Sequence, residues 1–154
     1  RPSIFFTLAC NPIDDTFTVT PEWLLSLPAD QLPASTNKTK IEEGGEPWYL
    51  FAHCTEKTAK PSTHGDWGTL FGRFGATLQP VSVGCCGMAG SFGYEEEHYA
   101  LSQQIGELVL LPTVRSAPAE TVIAAPGTSC RHQILDGTGK VAQHPVEVLF
   151  EALV

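Results

Sequence analysis

The chain of 154 residues is 42% hydrophobic, which is enough for one domain with a buried core. Its net charge of −8 and isoelectric point near 5.0 argue against nucleic acid or an anionic membrane surface as partner. No apolar run reaches the roughly 18–20 residues that span a bilayer, so membrane insertion is not expected. Five irregularly spaced cysteines favour reduced thiols, in the cytoplasm or peripheral to the inner membrane, over a secreted disulfide framework.

Residues 1–47 differ in composition from the rest of the chain. The run SIFFTL (3–8) predicts a short buried strand, and TPEWLLSL (20–27) predicts a helix with proline in its first turn. The stretch 28–47 collects Pro, Gly, Ser, Asn and charged residues, which is typical of a loop or linker. The composition therefore indicates an N-terminal segment and linker, belonging either to the fold of residues 48–154 or to a preceding unit.

From residue 48 onward, strand-length apolar runs alternate with helical patterns. The predicted strands are WYLFAH (48–53), ATLQPVSV (76–83), TVIAAPG (121–127) and, as a fourth, KVAQH (140–144). The predicted helices cover 66–75, 94–111, 130–137 and 145–153. Pro80 would interrupt the second strand or confine it to an edge, and we expect Leu101, Ile105 and Leu108 to share the buried face of the longest helix. The alternation predicts an α/β fold, with a mostly parallel sheet of about four strands and helices on its faces.

Four cysteines and one histidine follow these predicted strands. Cys54 comes after the first strand, Cys85 and Cys86 after the second, Cys130 a few residues after the third, and His144 ends the fourth. In a parallel sheet these strand ends lie on one edge, where open α/β folds place their sites. We therefore expect the cysteines to converge, and we expect helix N-termini at that edge, above all that of the helix starting near Tyr94, to favour thiolates.

Each of these features also has a less specific interpretation. The four cysteines are also compatible with small, half-buried thiols left from a former metal site. The glycines of GCCGMAG (84–90) can cradle phosphate at a helix start, but three glutamates follow soon after. His144 is as compatible with capping the last helix as with binding a ligand. The fifth cysteine, Cys10, lies outside the set and is expected to be structural.

The motifs HC (53–54), GCCGMAGSFG (84–93) and GTSCR (127–131) together resemble the cysteine-rich CCG domain. That domain occurs in one subunit of heterodisulfide reductase and in the third subunit of anaerobic glycerol-3-phosphate dehydrogenase. It also forms the C-terminal part of FAD- and iron–sulfur-containing D-2-hydroxyacid dehydrogenases of the D-lactate or D-2-hydroxyglutarate type. The resemblance covers residues 48–154 strongly and 1–47 faintly, and HPVEVLFEAL (144–153) is most similar to the dehydrogenases.

The resemblance implies that Cys54, Cys85, Cys86 and Cys130 bind the cofactor or metal, as an iron–sulfur cluster of the 4Fe–4S type or as zinc. His144 is added as a candidate metal ligand. The family motif ends in Cys-x-x-Cys, whereas here Cys130 is followed by Arg, His and Gln, so the last cysteine is missing. Four thiolates can still hold one cluster, and His53, His132 or His144 could substitute at the vacant position.

The resemblance also implies partners. The chain would work with FAD-binding and ferredoxin-like domains of the same longer chain, and FAD would be bound outside the present sequence. Alone, the fragment would not oxidise a substrate. Two classes of function follow: an electron-transfer module for D-2-hydroxyacid oxidation, or a docking domain that binds structural zinc or senses oxidants through its thiols. Iron with acid-labile sulfide would indicate the first, and colourless protein with zinc the second.

Overall fold

The computed structural model describes residues 20–28 and 48–153, and it has the α/β architecture predicted from the sequence. The predicted strand at 3–8, Cys10 and nearly all of the predicted linker lie outside the described residues. The helices are α1 (Thr20–Ser26), α2 (Cys54–Ala59), α3 (Thr63–Gly72), α4 (Glu96–Glu107), α5 (Leu110–Ser116), α6 (Thr128–Thr138) and α7 (Pro145–Leu153), with a 3-10 turn at Phe92–Tyr94. The strands are β1 (Trp48–Leu50), β2 (Leu78–Pro80) and β3 (Ile123–Ala124).

The described strands form a parallel sheet in the order β2–β1–β3. Pro80 lies in the edge strand β2, where its missing N–H costs no bond within the sheet. The sheet has three strands rather than the predicted four, because the segment 140–144 makes only a single parallel bridge, between Gln143 and Ala124. That segment is confined between the left-handed turn at Gly139 and the proline that begins α7, so no longer ladder forms.

Side chains alternate across the sheet, which separates two cores. Leu50 at the end of β1 faces one core and the next residue, Phe51, faces the other, and Ala124 and Ile123 of β3 do the same. We call these the aromatic core and the thiol core. The aromatic core contains Leu24, Leu50, Trp67, Leu70, Phe71, Ala76, Leu78, Ala124, Val148 and Leu149. The thiol core contains Phe51, Val83, Cys86, Met88, Leu110, Leu111, Val114, Ala117, Ile123, Ala125, Cys130, Ile134 and Ala142.

The helix predicted over 94–111 is two helices, α4 and α5, and this prediction was wrong. Pro112 explains the break, because its ring would clash with the carbonyl of residue 108 in a continuous helix. The backbone of Val109 accordingly leaves the helical region (φ −147°, ψ −49°). Helix α2 and helix α5, which is apolar and proline-containing, were both missed by the sequence pattern.

The buried face of α4 also differs from the prediction. Leu101 and Leu108 are 48% and 77% exposed, whereas Ser102 is 0% exposed and Gly106 is buried beside it. Small residues are buried here because backbone from the cysteine-containing loop packs directly on the helix at these positions. A periodicity of large apolar residues therefore indicated the wrong face.

Helix α1 matches the prediction for residues 20–27 and packs with α3 through the aromatic core. Its Leu24 is buried there, and Glu22 forms an ion pair with Lys60. This part of the N-terminal segment therefore contacts the same core as the helices that follow. Among the described residues, no helix combines the length and the apolar character needed to cross a bilayer.

Candidate functional site

Two of the predicted site cysteines are in direct contact. Cys86 lies in the loop after β2, and Cys130 lies in the first turn of α6, 44 residues later in the chain. The Cys130 thiol donates a hydrogen bond to Sγ of Cys86 across 3.4 Å. Each residue is only 6% exposed. The fold thus joins a thiol pair inside the thiol core.

This contact places one proton unequally between the two sulfurs. The hydrogen bond from Cys130, assisted by the N–H of Met88, lowers the pKa of Cys86 to about 6 against the opposing effect of burial. The pKa of Cys130 is raised, because its proton is held by Cys86, because it is buried and because negative charge on the neighbouring cysteines would oppose its own. The expectation that the edge would favour thiolates generally is therefore wrong for Cys130 and correct for Cys86. The shared proton therefore favours the thiolate form at Cys86 and the thiol form at Cys130.

Cys54 and Cys85 lie close enough to act on this pair. Cys54 is the half-buried first residue of α2, and Cys85 is exposed beside Cys86. Negative charge on either one raises the pKa of Cys130. Sγ of Cys85 accepts a hydrogen bond from the N–H of Gly87 across 3.3 Å. The four cysteines therefore belong to one electrostatic neighbourhood at the predicted sheet edge.

The loop that carries Cys85 and Cys86 is shaped by Gly87. Its φ of +92° is disfavoured for residues with a β-carbon, and a β-carbon there would collide with the backbone carbonyl of Ser102. The loop thus rests on the middle of α4, where Gly106 also approaches the carbonyl of Cys86. The start of this helix was expected to stabilise the thiolates, but the backbone N–H groups that lower the pKa of Cys86 belong to the loop. The N–H of Met88, within the loop itself, stabilises the Cys86 thiolate instead.

Two cations, which sequence reasoning missed, fix the loops around the cysteines. Lys57 of α2 donates from Nζ to the carbonyl of Val83 across 2.8 Å, just before the cysteine pair. Arg131 donates from Nη1 to the carbonyls of Ala125 and Pro126, both at 2.8 Å, and so closes the turn between β3 and α6. Lys57 follows Cys54 by three residues and Arg131 follows Cys130 directly, and this closeness in sequence could have indicated them.

His53 and Cys130 both pack against Gly127. A β-carbon on Gly127 would collide with the imidazole of His53 and would lie 3.0 Å from Sγ of Cys130. The half-buried His53 is also the N-cap residue of α2, and its backbone N–H donates a hydrogen bond to the carboxylate of Glu56. Burial raises the pKa of that carboxylate, because the hydrogen bond offsets it only in part. Of the histidines suggested for a vacant ligand position, His53 is thus packed beside a site cysteine.

The other two histidines have different contacts. His132 shares a hydrogen bond of 2.6 Å with the hydroxyl of Tyr94 on the exposed side of α6. His144 caps α7: its Nδ1 accepts from the N–H of Val146 at 3.2 Å, and its own N–H donates to Glu147 at 2.8 Å. Burial and the charge of Arg131 lower the pKa of His144, so this cap is a neutral imidazole. Within the described residues, His144 thus caps α7 and meets the ring of Trp67 edge to face.

The donor set suits soft metals by its chemistry, since thiolates are the ligands of iron–sulfur clusters and of zinc. Within residues 20–28 and 48–153, however, no three His, Cys, Asp or Glu side chains are arranged to hold one metal ion. A single tetrahedral ion would need its ligands around one point. A multi-iron cluster distributes its cysteines over several irons, so the donor set fits such a cluster better than a single ion.

Similar sequences occur in several bacterial enzymes. D-2-hydroxyglutarate dehydrogenase of Escherichia coli strain K12 is 42% identical over 134 residues, which is 86% of this chain and 12% of that protein. The enzyme of the same name from Pantoea ananatis is 45% identical over 109 residues, 71% of this chain and 11% of that protein. One subunit of the anaerobic glycerol-3-phosphate dehydrogenase of Escherichia coli is 34% identical over 79 residues, 51% of this chain and 19% of that protein.

These matches confirm the resemblance to D-2-hydroxyacid dehydrogenases that the motifs indicated. They also show that the chain spans only about an eighth of the length of the dehydrogenases it matches. No protein-family model matches the sequence, and no solved structure matches it.

Proposed function

Because this chain is homologous to a segment of the D-2-hydroxyglutarate dehydrogenases, we propose that it is the cysteine-rich module of a FAD-linked oxidoreductase. In this proposal the module is the CCG domain, formed by residues 48–154, and it works in the cytoplasm. It binds an iron–sulfur centre that receives electrons from D-2-hydroxyacid oxidation. FAD and ferredoxin-like centres belong to other parts of a longer chain.

The observation that carries this proposal is that cysteines from three separate segments of the chain influence one another. Cys86 and Cys130 are in contact, and the charges of Cys54 and Cys85 act on Cys130. These four residues would hold the cluster through their sulfurs, and the cluster would supply one-electron transfer. Lys57 and Arg131 would keep the loops in position by their bonds to backbone carbonyls. His53 packs beside Cys130, so it is the histidine best positioned for a vacant ligand position.

Zinc binding and thiol-based oxidant sensing form the alternative. A structural zinc ion needs four donors around one point, and no three are so arranged in the described part of the chain. Oxidant sensing is favoured by one observation, the 3.4 Å contact of two buried sulfurs. The same two sulfurs are among those proposed to hold the cluster, so sensing and electron transfer would use one site.

The first experiment measures metal content. The 154-residue chain, purified and reconstituted with ferrous iron and sulfide without oxygen, is expected to bind iron and acid-labile sulfide and to absorb visible light. Single Cys→Ser changes at residues 54, 85, 86 and 130 should each lower the iron bound. Cys10→Ser is the matched control and should retain it. Stoichiometric zinc without sulfide, in chain isolated from cells, would contradict the proposal.

The second experiment tests electron transfer in an assembled enzyme. The chain replaces the segment that it matches in the Escherichia coli dehydrogenase, and oxidation of D-2-hydroxyglutarate is assayed with an artificial acceptor. The chimera should retain activity, and the Cys86→Ser and Cys130→Ser versions should lose it while still binding flavin. A double Cys86→Ser, Cys130→Ser chimera with unchanged turnover would show that the module has no role in electron transfer.

A further inference from the structure

We propose that Cys86 and Cys130 form a reversible dithiol–disulfide couple that hydrogen peroxide oxidises. Formation of the bond itself is independent of the function proposed above. Its consequence rests on that function: the disulfide would remove two of the four thiolates and so prevent the site from accepting an iron–sulfur centre. The module would then accept its cofactor only when this pair is reduced.

The distance between the two sulfurs is the first argument. Sγ of Cys86 and Sγ of Cys130 are 3.4 Å apart, and a disulfide bond measures about 2 Å, so the sulfurs must approach by roughly 1.4 Å. Side-chain rotation supplies movements of this size. The loop before Cys86 and the turn before Cys130 are already held by Lys57 and Arg131, so the backbone keeps the pair together in the reduced state.

The neighbouring cysteines are less suited to bridging. Cys85 adjoins Cys86 in the chain, and a bridge between adjacent residues departs from unstrained disulfide geometry. Its sulfur also accepts a hydrogen bond from the N–H of Gly87, and the residue is exposed to solvent. Cys54 begins a helix and is only half-buried. The pair of Cys86 and Cys130 therefore combines burial with direct sulfur–sulfur contact.

The chemistry balances with one molecule of peroxide. The sulfur of either partner attacks one peroxide oxygen and breaks the O–O bond, which gives a sulfenic acid and, with the thiol proton, one water. The second sulfur then attacks the sulfenic sulfur, forms the S–S bond, and releases a second water that carries the remaining thiol proton. Two thiols are oxidised by two electrons, and both peroxide oxygens are reduced to water. A dithiol reductant reverses the change by thiol–disulfide exchange.

Burial explains why the reaction should stop at the disulfide. A sulfenic acid exposed to solvent meets further peroxide and continues to sulfinic acid. Here the partner thiol is already at 3.4 Å, in a core that is shielded from solvent, so condensation is intramolecular. Peroxide is a small molecule, so it can reach the pair although each cysteine is only 6% exposed.

The test treats the reduced, metal-free 154-residue chain with a small excess of hydrogen peroxide, blocks the remaining thiols, and maps the peptides by mass spectrometry. We expect a linkage between Cys86 and Cys130, a mass loss of two hydrogens, and reversal by dithiothreitol. Cys85→Ser should form the same bond. In Cys86→Ser or Cys130→Ser the remaining partner should be labelled by a sulfenic-acid probe instead, and circular dichroism verifies that each variant is folded.

Other outcomes would overturn the couple. One is a dominant disulfide between Cys85 and Cys86, or one that involves Cys54. Another is conversion of Cys86 to sulfinic acid while Cys130 stays free. The consequence is tested separately, by offering iron and sulfide to oxidised and to re-reduced chain. The complete proposal is supported if the re-reduced chain takes up iron and the oxidised chain does not. If neither form takes up iron, the proposed function fails and the mapped disulfide stands; if both do, the gating fails.

Discussion

The two faces of the sheet are packed in different ways. The aromatic core fills its space with large side chains, among them Trp67 and Phe71 of α3, which packs on the sheet through apolar contacts. The thiol core uses smaller residues and places backbone against backbone, as at Gly87 on Ser102. It also contains the ionisable pair of Cys86 and Cys130.

This difference separates stability from chemistry within one small domain. Burial of large apolar side chains is the main favourable term in folding, so the aromatic core, with Trp67 and Phe71, should be most sensitive to truncation of a single side chain. A site needs loops held in fixed positions and polar groups protected from solvent, and the thiol core supplies both. Changes on the first face should therefore alter the free energy of unfolding, and changes on the second should alter the thiols.

The largest expected effect is Trp67→Ala. Trp67 is fully buried in the aromatic core, where its ring meets that of His144 edge to face at 5.9 Å. Its truncation should lower the free energy of unfolding by about 3–5 kcal/mol, measured by denaturant titration. Trp67→Phe keeps most of the volume and should cost less. A loss as small for alanine as for phenylalanine would contradict the assignment of stability to this face.

The pH dependence of stability tests the thiol core. The Cys86 pKa is lowered to about 6 from an ordinary 9.0, and the Cys130 pKa is raised. Between about pH 6 and 9 the unfolded pair binds one proton more than the folded pair, so stability should rise with pH by up to about 1.4 kcal/mol per unit. Above pH 9 the unfolded thiols lose both protons while the folded pair keeps one, so stability should fall.

Denaturant titrations of the reduced, metal-free chain across this range measure the effect. Cys130→Ala removes the donor that stabilises the Cys86 thiolate, so the rise between pH 6 and 9 should flatten. Cys85→Ser serves as the control and should keep most of the rise. A wild-type profile that is flat from pH 6 to 9 would exclude the shared proton.

A smaller effect is expected from Gly127→Ala. The new methyl group would press on His53 and on Sγ of Cys130, an overpacking that costs roughly 1–3 kcal/mol. It should also change the alkylation rate of Cys130 in the folded chain. Gly65→Ala is the matched control: it lies within α3 with open space around it, so alanine should stabilise the chain slightly. Equal effects of the two changes would show that Gly127 is not a close-contact position.

The smallest effect concerns His144 on the aromatic side. Loss of its cap in His144→Ala should lower the free energy of unfolding by about 1 kcal/mol, since the N–H of Val146 loses its acceptor. His144→Asn should recover most of the lost stability, because asparagine is a good N-cap residue. Iron binding should be the same in all three proteins. Loss of iron in both variants would instead make His144 a ligand.

Much of the architecture could be predicted from local sequence. Strand-length apolar runs at 48–53, 76–83 and 121–127 all contain the observed strands, and Pro80 correctly indicated the edge. Predictions failed where contacts between distant segments decide the outcome. The buried face of α4 is defined by Ser102 and Gly106, because a loop from elsewhere in the chain packs there. Few large residues mark such a surface, so periodicity indicated the opposite side.

The sequence by itself determined the α/β class, the grouping of four cysteines at strand ends and the resemblance to the dehydrogenases, because apolar periodicity, strand order and motif spacing are local properties. Tertiary structure decided which sulfurs touch and where the proton resides, since Cys86 and Cys130 are 44 residues apart and meet only in the folded chain. It also placed Gly127 against Cys130, and Lys57 against the carbonyl of Val83 in the loop that leads to the cysteine pair. Such contacts depend on packing across the sheet, which no local pattern records.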